Sequence, residues 1–171
     1  MKIAITGHTS GIGKALHEIF PDAIVFSRSN GFDLTIPQLR QRMYTELDDC
    51  DVFINNAPIG VDQIQLLHEL WEQWKDSNKI IVNIGSDASD YDNNDAYTLQ
   101  KKMLQDLCLQ YQQSTVACKT ILVKPGYVDT PRVQSIIATK IDPKEFALYV
   151  KELIECKHTT FWIPVVTLYP R

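Results

Sequence analysis

This sequence predicts an α/β fold with a single doubly wound, mostly parallel sheet and helices on both faces, and three features predict it. Apolar strand-like segments alternate with amphipathic helix-like ones from end to end. The strand-like runs are continuous rather than alternating, as in a parallel sheet covered on both sides. Connections are short and no linker or repeat interrupts them, which implies right-handed crossovers between neighbouring strands. With 171 residues and 44% apolar content the chain has the size of a single domain, expected to span residues 1–171.

The elements follow in order. Lys2–Thr6 reads as the first strand, and a glycine-rich turn then leads into a helix over Gly13–Phe20. Ala23–Ser27 is the second strand. The interval up to Pro37 is too short for a helix plus a full strand, so a shortened connection is expected after the second strand, with a stubby extended piece near Gly31–Leu34. Pro37–Leu47 is the next helix, Asp51–Asn55 the next strand, and Asp62–Lys75 a helix whose Ile64, Leu67, Trp71 and Trp74 share one side. The two tryptophans are expected to pack on the sheet, a subunit contact being the alternative. Lys79–Ile84 is a strand rich in isoleucine. In the helix Tyr97–Gln113, Leu99, Met103 and Leu107 recur at i, i+4 and i+8 beside Leu104, Cys108 and Tyr111, a broad apolar stripe expected to face the sheet. Thr120–Lys124 is a further strand. Asp142-Pro143-Lys144-Glu145 marks the start of the helix Pro143–Cys156 with a cap, a first-turn proline and a glutamate. Phe161–Val166 is the last strand.

Composition excludes several classes of function. Seventeen basic against twenty-one acidic residues give a net charge of −4, and without a Lys/Arg cluster no nucleic-acid partner is expected. Cys50, Cys108, Cys118 and Cys156 form no C-x-x-C pair, and His8, His17, His68 and His158 show no zinc-ligand spacing, so neither a disulfide framework nor a metal site is expected. Apolar runs fall well short of the ~18–20 residues that span a bilayer, and the amino terminus turns glycine-rich too early for a signal peptide. A reduced, cytoplasmic protein with no membrane association is the expectation.

Five motifs fall where strands end, which is where a doubly wound sheet binds its ligands. Gly7, Gly11 and Gly13, with Ser10 and Ile12 between them, form a turn at which backbone N–H groups and a positive helix end meet a pyrophosphate with no Cβ in the way. The spacing is G-x3-G-x-G rather than the G-x-G-x-x-G of the general dinucleotide fingerprint, so the motifs that follow must corroborate it. At the end of the second strand Ser27-Arg28-Ser29 offers a guanidinium and flanking hydroxyls that suit a 2′-phosphate, so NADP(H) is preferred and NAD(H) possible. Asp33 is the competing acid, placed with Leu34 along the adenine edge. Asn55-Asn56-Ala57-Pro58 ends the next strand, where amide side chains brace backbone beside the cofactor. Ser86 follows another strand, and eleven residues on, Tyr97 and Lys101 stand one helical turn apart. A phenol ionises near pH 10, so proton transfer at neutral pH requires roughly 4 kcal/mol of help to the phenolate, which an ammonium and a nicotinamide cation supply in a partly desolvated site. Finally, Pro125 and Gly126 force a sharp exit toward Val128 and Thr130, whose backbone and hydroxyl suit a carboxamide.

Taken in order, these motifs resemble the short-chain dehydrogenase/reductase family over nearly the whole chain. The resemblance implies an NADP(H)-dependent oxidoreductase that interconverts a carbonyl and an alcohol on a small molecule. It implies Tyr97 as the general acid or base, Lys101 as the group that lowers its pKa and bonds the nicotinamide ribose, and Ser86 as the donor to the substrate oxygen. It also implies that Gly7, Gly11, Ile12 and Gly13 cradle the pyrophosphate, that Asn55 and Ala57 flank the adenosine side, and that Val128 and Thr130 fix the nicotinamide amide. Three departures stand out. Pro58 replaces a usual glycine, Asp62–Lys75 lacks the asparagine of the family's water-mediated relay, and the lid Pro131–Ile141 is short. A homo-oligomer is implied, and the shortened helix favours a dimer over a tetramer. The competing reading is a dinucleotide-binding sensor without turnover.

Overall fold

In the computed structural model of the chain, residues 1–114, 116–156 and 161–171 are described; His158 lies outside them. Six strands pair in parallel in one sheet: β1 (Ile3–Thr6), β2 (Ile24–Phe26), β3 (Val52–Asn55), β4 (Ile80–Ile84), β5 (Lys119–Pro125) and β6 (Val165–Leu168), in the order β2-β1-β3-β4-β5-β6. Five helices alternate with them: α1 (Gly11–Ile19), α2 (Pro37–Thr45), α3 (Val61–Trp74), α4 (Ala96–Gln112) and α5 (Pro143–Glu155). From β1 the chain runs outward to β2, then returns to build β3 to β6 on the other side of β1. The carboxyl ends of β1 and β3 therefore flank the point where strand order reverses, and a crevice forms there.

Both faces of the sheet are buried, which explains the continuous apolar strands. Ala4, Phe53, Ile81 and Leu122 pack with Met43 of α2, Leu66, Leu70, Trp71 and Trp74 of α3, and Leu104 and Cys108 of α4. Ile5, Ile54, Val82 and Val123 face the other way, against Leu16 of α1 and Phe146, Val150 and Ile154 of α5. Both α3 tryptophans are core residues, and Trp71 stacks on Tyr111 at 3.9 Å between ring centroids. In α4 the buried side is Thr98, Lys101, Leu104, Cys108 and Tyr111, whereas Leu99 and Met103 are half exposed. The expectation that the Leu99–Met103–Leu107 row faces the sheet is corrected: the sheet takes the neighbouring row, which carries Lys101.

Two further expectations are overturned by local chemistry. No strand forms near Gly31–Leu34. Ser27 and Asn30 instead close a 3₁₀ turn over Arg28–Asn30, with the Ser27 N–H donating to Asn30 Oδ1 at 2.7 Å, and Gly31 takes φ +89° to reverse the chain. Phe32 and Leu34 then turn into the core, Phe32 edge-on to Phe26. The last strand starts at Val165 rather than Phe161 because Pro164 has no N–H to give; its carbonyl accepts from Leu122 N and Gln112 Nε2 before the ladder begins. The short connection after β2 is secured by Arg40 of α2. It is buried and bonds Leu34 O, Asp62 and Glu69, tying α2 to α3.

Candidate functional site

The carboxyl ends of β1, β3, β4 and β5 open onto a groove of about 1030 Å³. Gly7, Ser10, Gly11, Ile12, Gly13, Asn56, Ser86, Tyr97, Lys101, Pro125, Gly126, Val128 and Thr130 line it together. Ser27, Arg28, Asp33, Leu34, Asn55 and Ala57 do not line it.

The glycine turn is a cradle whose shape excludes side chains. Gly7 and Gly11 have φ of +70° and +53°, a region costly for other residues. A Cβ at Gly13 would run into the Gly7 carbonyl and lie 2.6 Å from Asn56 Nδ2. The close approach of α1 to the end of β1 thus requires glycine there. Asn56 holds this turn against β3, donating from Nδ2 to Thr6 O at 2.9 Å, while Thr6 Oγ1 accepts from the Asn56 and Ala57 N–H groups. Ser10 precedes α1 without a side-chain capping bond, so the first N–H groups of the helix face the groove uncapped by it. Glycines with no Cβ beside an uncapped helix amino terminus are chemistry that suits a dinucleotide pyrophosphate. His8, inside the turn, packs edge-on to His17, and burial first, then the nearby His17, lower its pKa.

Across the groove stand the three residues read as catalytic. Ser86 caps the turn after β4; its Oγ accepts from Ala88 N at 3.1 Å and donates to Asp87 Oδ1 at 3.3 Å. Burial raises the pKa of that Asp87 carboxyl. Tyr97, in the first turn of α4, is 42% exposed and borders the groove. One turn later Lys101 is 6% exposed, with its Nζ 5.7 Å from the Tyr97 ring centroid. The amine donates to Gln63 Oε1 at 2.8 Å and to Ile84 O at 3.1 Å. Burial, with a smaller contribution from Arg132, lowers its pKa from 10.5 to about 8.

Sequence reasoning missed Gln63 and Arg132, both of which line the groove. Gln63 contacts a lysine thirty-eight positions away, a separation that no local pattern encodes. Arg132 follows Thr130 in a 3₁₀ turn over Pro131–Val133, and its charge is felt at Lys101. Asn55, expected beside adenosine, is fully buried and donates from Nδ2 to Gln63 O and Asn83 Oδ1. Ala57 packs under Gly7. Leu34 is a core residue, and Asp33 is tied to the Thr35 N–H and hydroxyl, which hold its carboxyl below the usual range. Arg28 lies exposed on the turn after β2 and makes no side-chain hydrogen bond among the described residues. No cluster of His, Cys, Asp and Glu suited to a metal ion occurs among the described residues.

No family model matches the sequence, and no curated protein does. Solved structures match its fold closely. A short-chain dehydrogenase/reductase from Vibrio parahaemolyticus superposes with a TM-score of 0.78 over 99% of both chains at 17% identity. A short-chain dehydrogenase from Burkholderia cenocepacia in complex with NADP gives 0.80 over 98% of this chain and 89% of that one, also at 17% identity. The 3-alpha-hydroxysteroid dehydrogenase from Pseudomonas sp. complexed with NADH gives 0.78 over 99% and 95% at 20% identity. This chain has the Rossmann-like α/β fold of those dehydrogenases.

The lowered Lys101 pKa has a consequence for stability. The folded protein releases that proton near pH 8, whereas an unfolded chain holds it until about 10.5. Between those values the unfolded state binds more protons, so the penalty is complete below pH 8 and is relieved as pH rises. Urea unfolding of the wild type and Lys101→Met across pH 7–10.5 is expected to give curves that converge toward the alkaline end, the variant being favoured below pH 8 by up to about 3 kcal/mol.

Proposed function

We propose that this chain is a short-chain dehydrogenase/reductase: a single dinucleotide-binding domain over residues 1–171 that interconverts a carbonyl and an alcohol on a small molecule with NADP(H), and with NAD(H) as second choice. The observation that carries this reading is the convergence of Ser86, Tyr97 and Lys101 on the same groove as the glycine cradle. The nicotinamide cofactor supplies or accepts the hydride. Tyr97, exposed at the mouth of the groove, gives its phenolic proton to the substrate oxygen during reduction and takes it back in the reverse direction. Ser86 donates to the same oxygen, releasing its long bond to Asp87 and stabilising the charge that develops there. Lys101 sits below the Tyr97 ring as a cation in a dry setting, where its field acts strongly.

Preference for NADP(H) rests on Arg28, whose guanidinium makes no side-chain hydrogen bond among the described residues, and on the Ser27 and Ser29 hydroxyls, 2.7 Å apart beside it. The competing carboxylate of Asp33 is occupied by Thr35. Outside the groove, Val61, Leu99 and Met103 are exposed apolar side chains, and Val61 and Met103 with Ile64 and Leu107 edge a shallow depression of about 280 Å³ between α3 and α4. This face supports assembly as a homodimer. No helix of the described residues is long and apolar enough to cross a membrane, and the cysteines are unpaired, in keeping with work in the reducing cytoplasm.

Three measurements test these points. NADPH oxidation with a panel of aldehydes and ketones is expected to proceed in the wild type and to fall about a thousandfold in Tyr97→Phe; tight cofactor binding without turnover on any carbonyl would establish a sensor instead. Titration of each coenzyme into Arg28→Ala is expected to weaken NADPH at least about tenfold while NADH changes less than about twofold. In sedimentation velocity the wild type is expected as a dimer and Met103→Glu as a monomer.

A further inference from the structure

Gln63 occupies the third position of α3, behind the groove, and is 3% exposed. Both polar atoms of its side chain are engaged. Nε2 donates to Asn55 O and to Ile84 O, each at 3.0 Å, and Oε1 accepts from Lys101 Nζ at 2.8 Å. Its own carbonyl accepts from Asn55 Nδ2 at 2.9 Å. The amide has one workable orientation: reversed, it would set its NH₂ against an ammonium and its oxygen against two carbonyls. The Lys101 amine has three donors. Gln63 and Ile84 take two of them, leaving one for whatever fills the groove.

From this arrangement we propose that Gln63 is a positioning residue of the site, its side-chain oxygen holding the Lys101 ammonium directly while its NH₂ anchors that oxygen to the ends of β3 and β4. The inference rests on the oxidoreductase reading for its purpose, but its geometry stands in the protein alone. Gln63 touches neither substrate nor reacting atoms; it acts through Lys101. It fixes the amine by direct contact, in a helix that contains no asparagine. It also keeps the charged form of a buried amine populated with no carboxylate hydrogen-bonded to it.

The test follows the Lys101 amine by NMR in ε-¹³C-lysine protein, free of cofactor, with the resonance assigned by its loss in Lys101→Met. In the wild type it is expected to titrate at about pH 8. Gln63→Met, similar in length and without an acceptor, is expected to shift that midpoint down by about one pH unit or more, because the lost bond is stronger to the charged form. Gln63→Glu is expected to shift it up by about one unit or more, a carboxylate favouring the ammonium. In steady state Gln63→Met is expected to lower kcat/KM for carbonyl reduction about tenfold or more, with the alkaline limb of the pH profile moving in step with the amine. Opposite shifts from two variants of one side chain are not what a merely structural residue gives. A Lys101 midpoint unchanged in both variants, or moved in the same direction by both, overturns the proposal. Should one variant fail to fold, the sign of the shift in the other decides. A wild type with no reductase activity would sink the functional reading while leaving the titration, and so the role of Gln63, separately decided.

Discussion

Burying the Lys101 ammonium with no carboxylate bonded to it is the constraint around which the site is arranged. Taking a lone cation out of water is costly, and the cost falls only if neutral dipoles replace the lost hydration. Here they are a main-chain carbonyl at the end of β4 and the amide of Gln63. Neither is free to wander: Ile84 is in the ladder with β5, and Gln63 is pinned through Asn55. The amine is therefore held by the sheet rather than by its own flexible stem, and α4 carries the Tyr97 phenol one turn above it. Arg132, also in the lining of the groove, adds a second positive charge that disfavours the Lys101 ammonium.

The shortened architecture is felt in the segment after β2. Because Gly31 turns the chain back and Phe32 and Leu34 enter the core, the second strand is the edge of the sheet, and the segment after it contributes a turn instead of another ladder. Arg28 thereby stands on an open corner. A guanidinium in that position would pay little desolvation on meeting a phosphate, which is what the proposed preference for NADP(H) requires of it. The buried Arg40 does the complementary structural task, bonding the Leu34 carbonyl and two carboxylates so that the short crossover closes firmly over the core.

Legibility in the sequence followed the range of the interactions. Strand and helix order was readable because each parallel strand buries both faces and each helix at least one, a pattern written in consecutive residues. The glycine turn was readable because steric exclusion leaves only one residue type at Gly13. The failures were local competitions or distant partnerships. Pro164 delayed β6 through a single missing N–H, and the Ser27–Asn30 turn removed an expected extended piece. In α4 two adjacent rows are apolar enough to face the sheet, and the row containing a lysine won because Gln63 and Ile84 satisfy the amine. Asn55 was legible as a brace but not as a fully buried one, since its partners Gln63 and Asn83 lie on other elements.

The identity of residue 63 follows from the groups around it. Three polar groups converge there: two carbonyls that need donors and an ammonium that needs an acceptor. Among the side chains only a primary amide offers two donors and an acceptor at once without charge. A carboxylate lacks the donors, and an ammonium or guanidinium lacks the acceptor. Asparagine has the chemistry but is one methylene shorter, and the amide must reach from the first turn of α3 to the end of β4. Gly60, at φ +66°, starts the helix close enough for glutamine to make that span. The position of the helix, the length of the side chain and the charge state of the lysine are thus three expressions of one requirement: that a cation be kept dry, oriented and available at the floor of the groove.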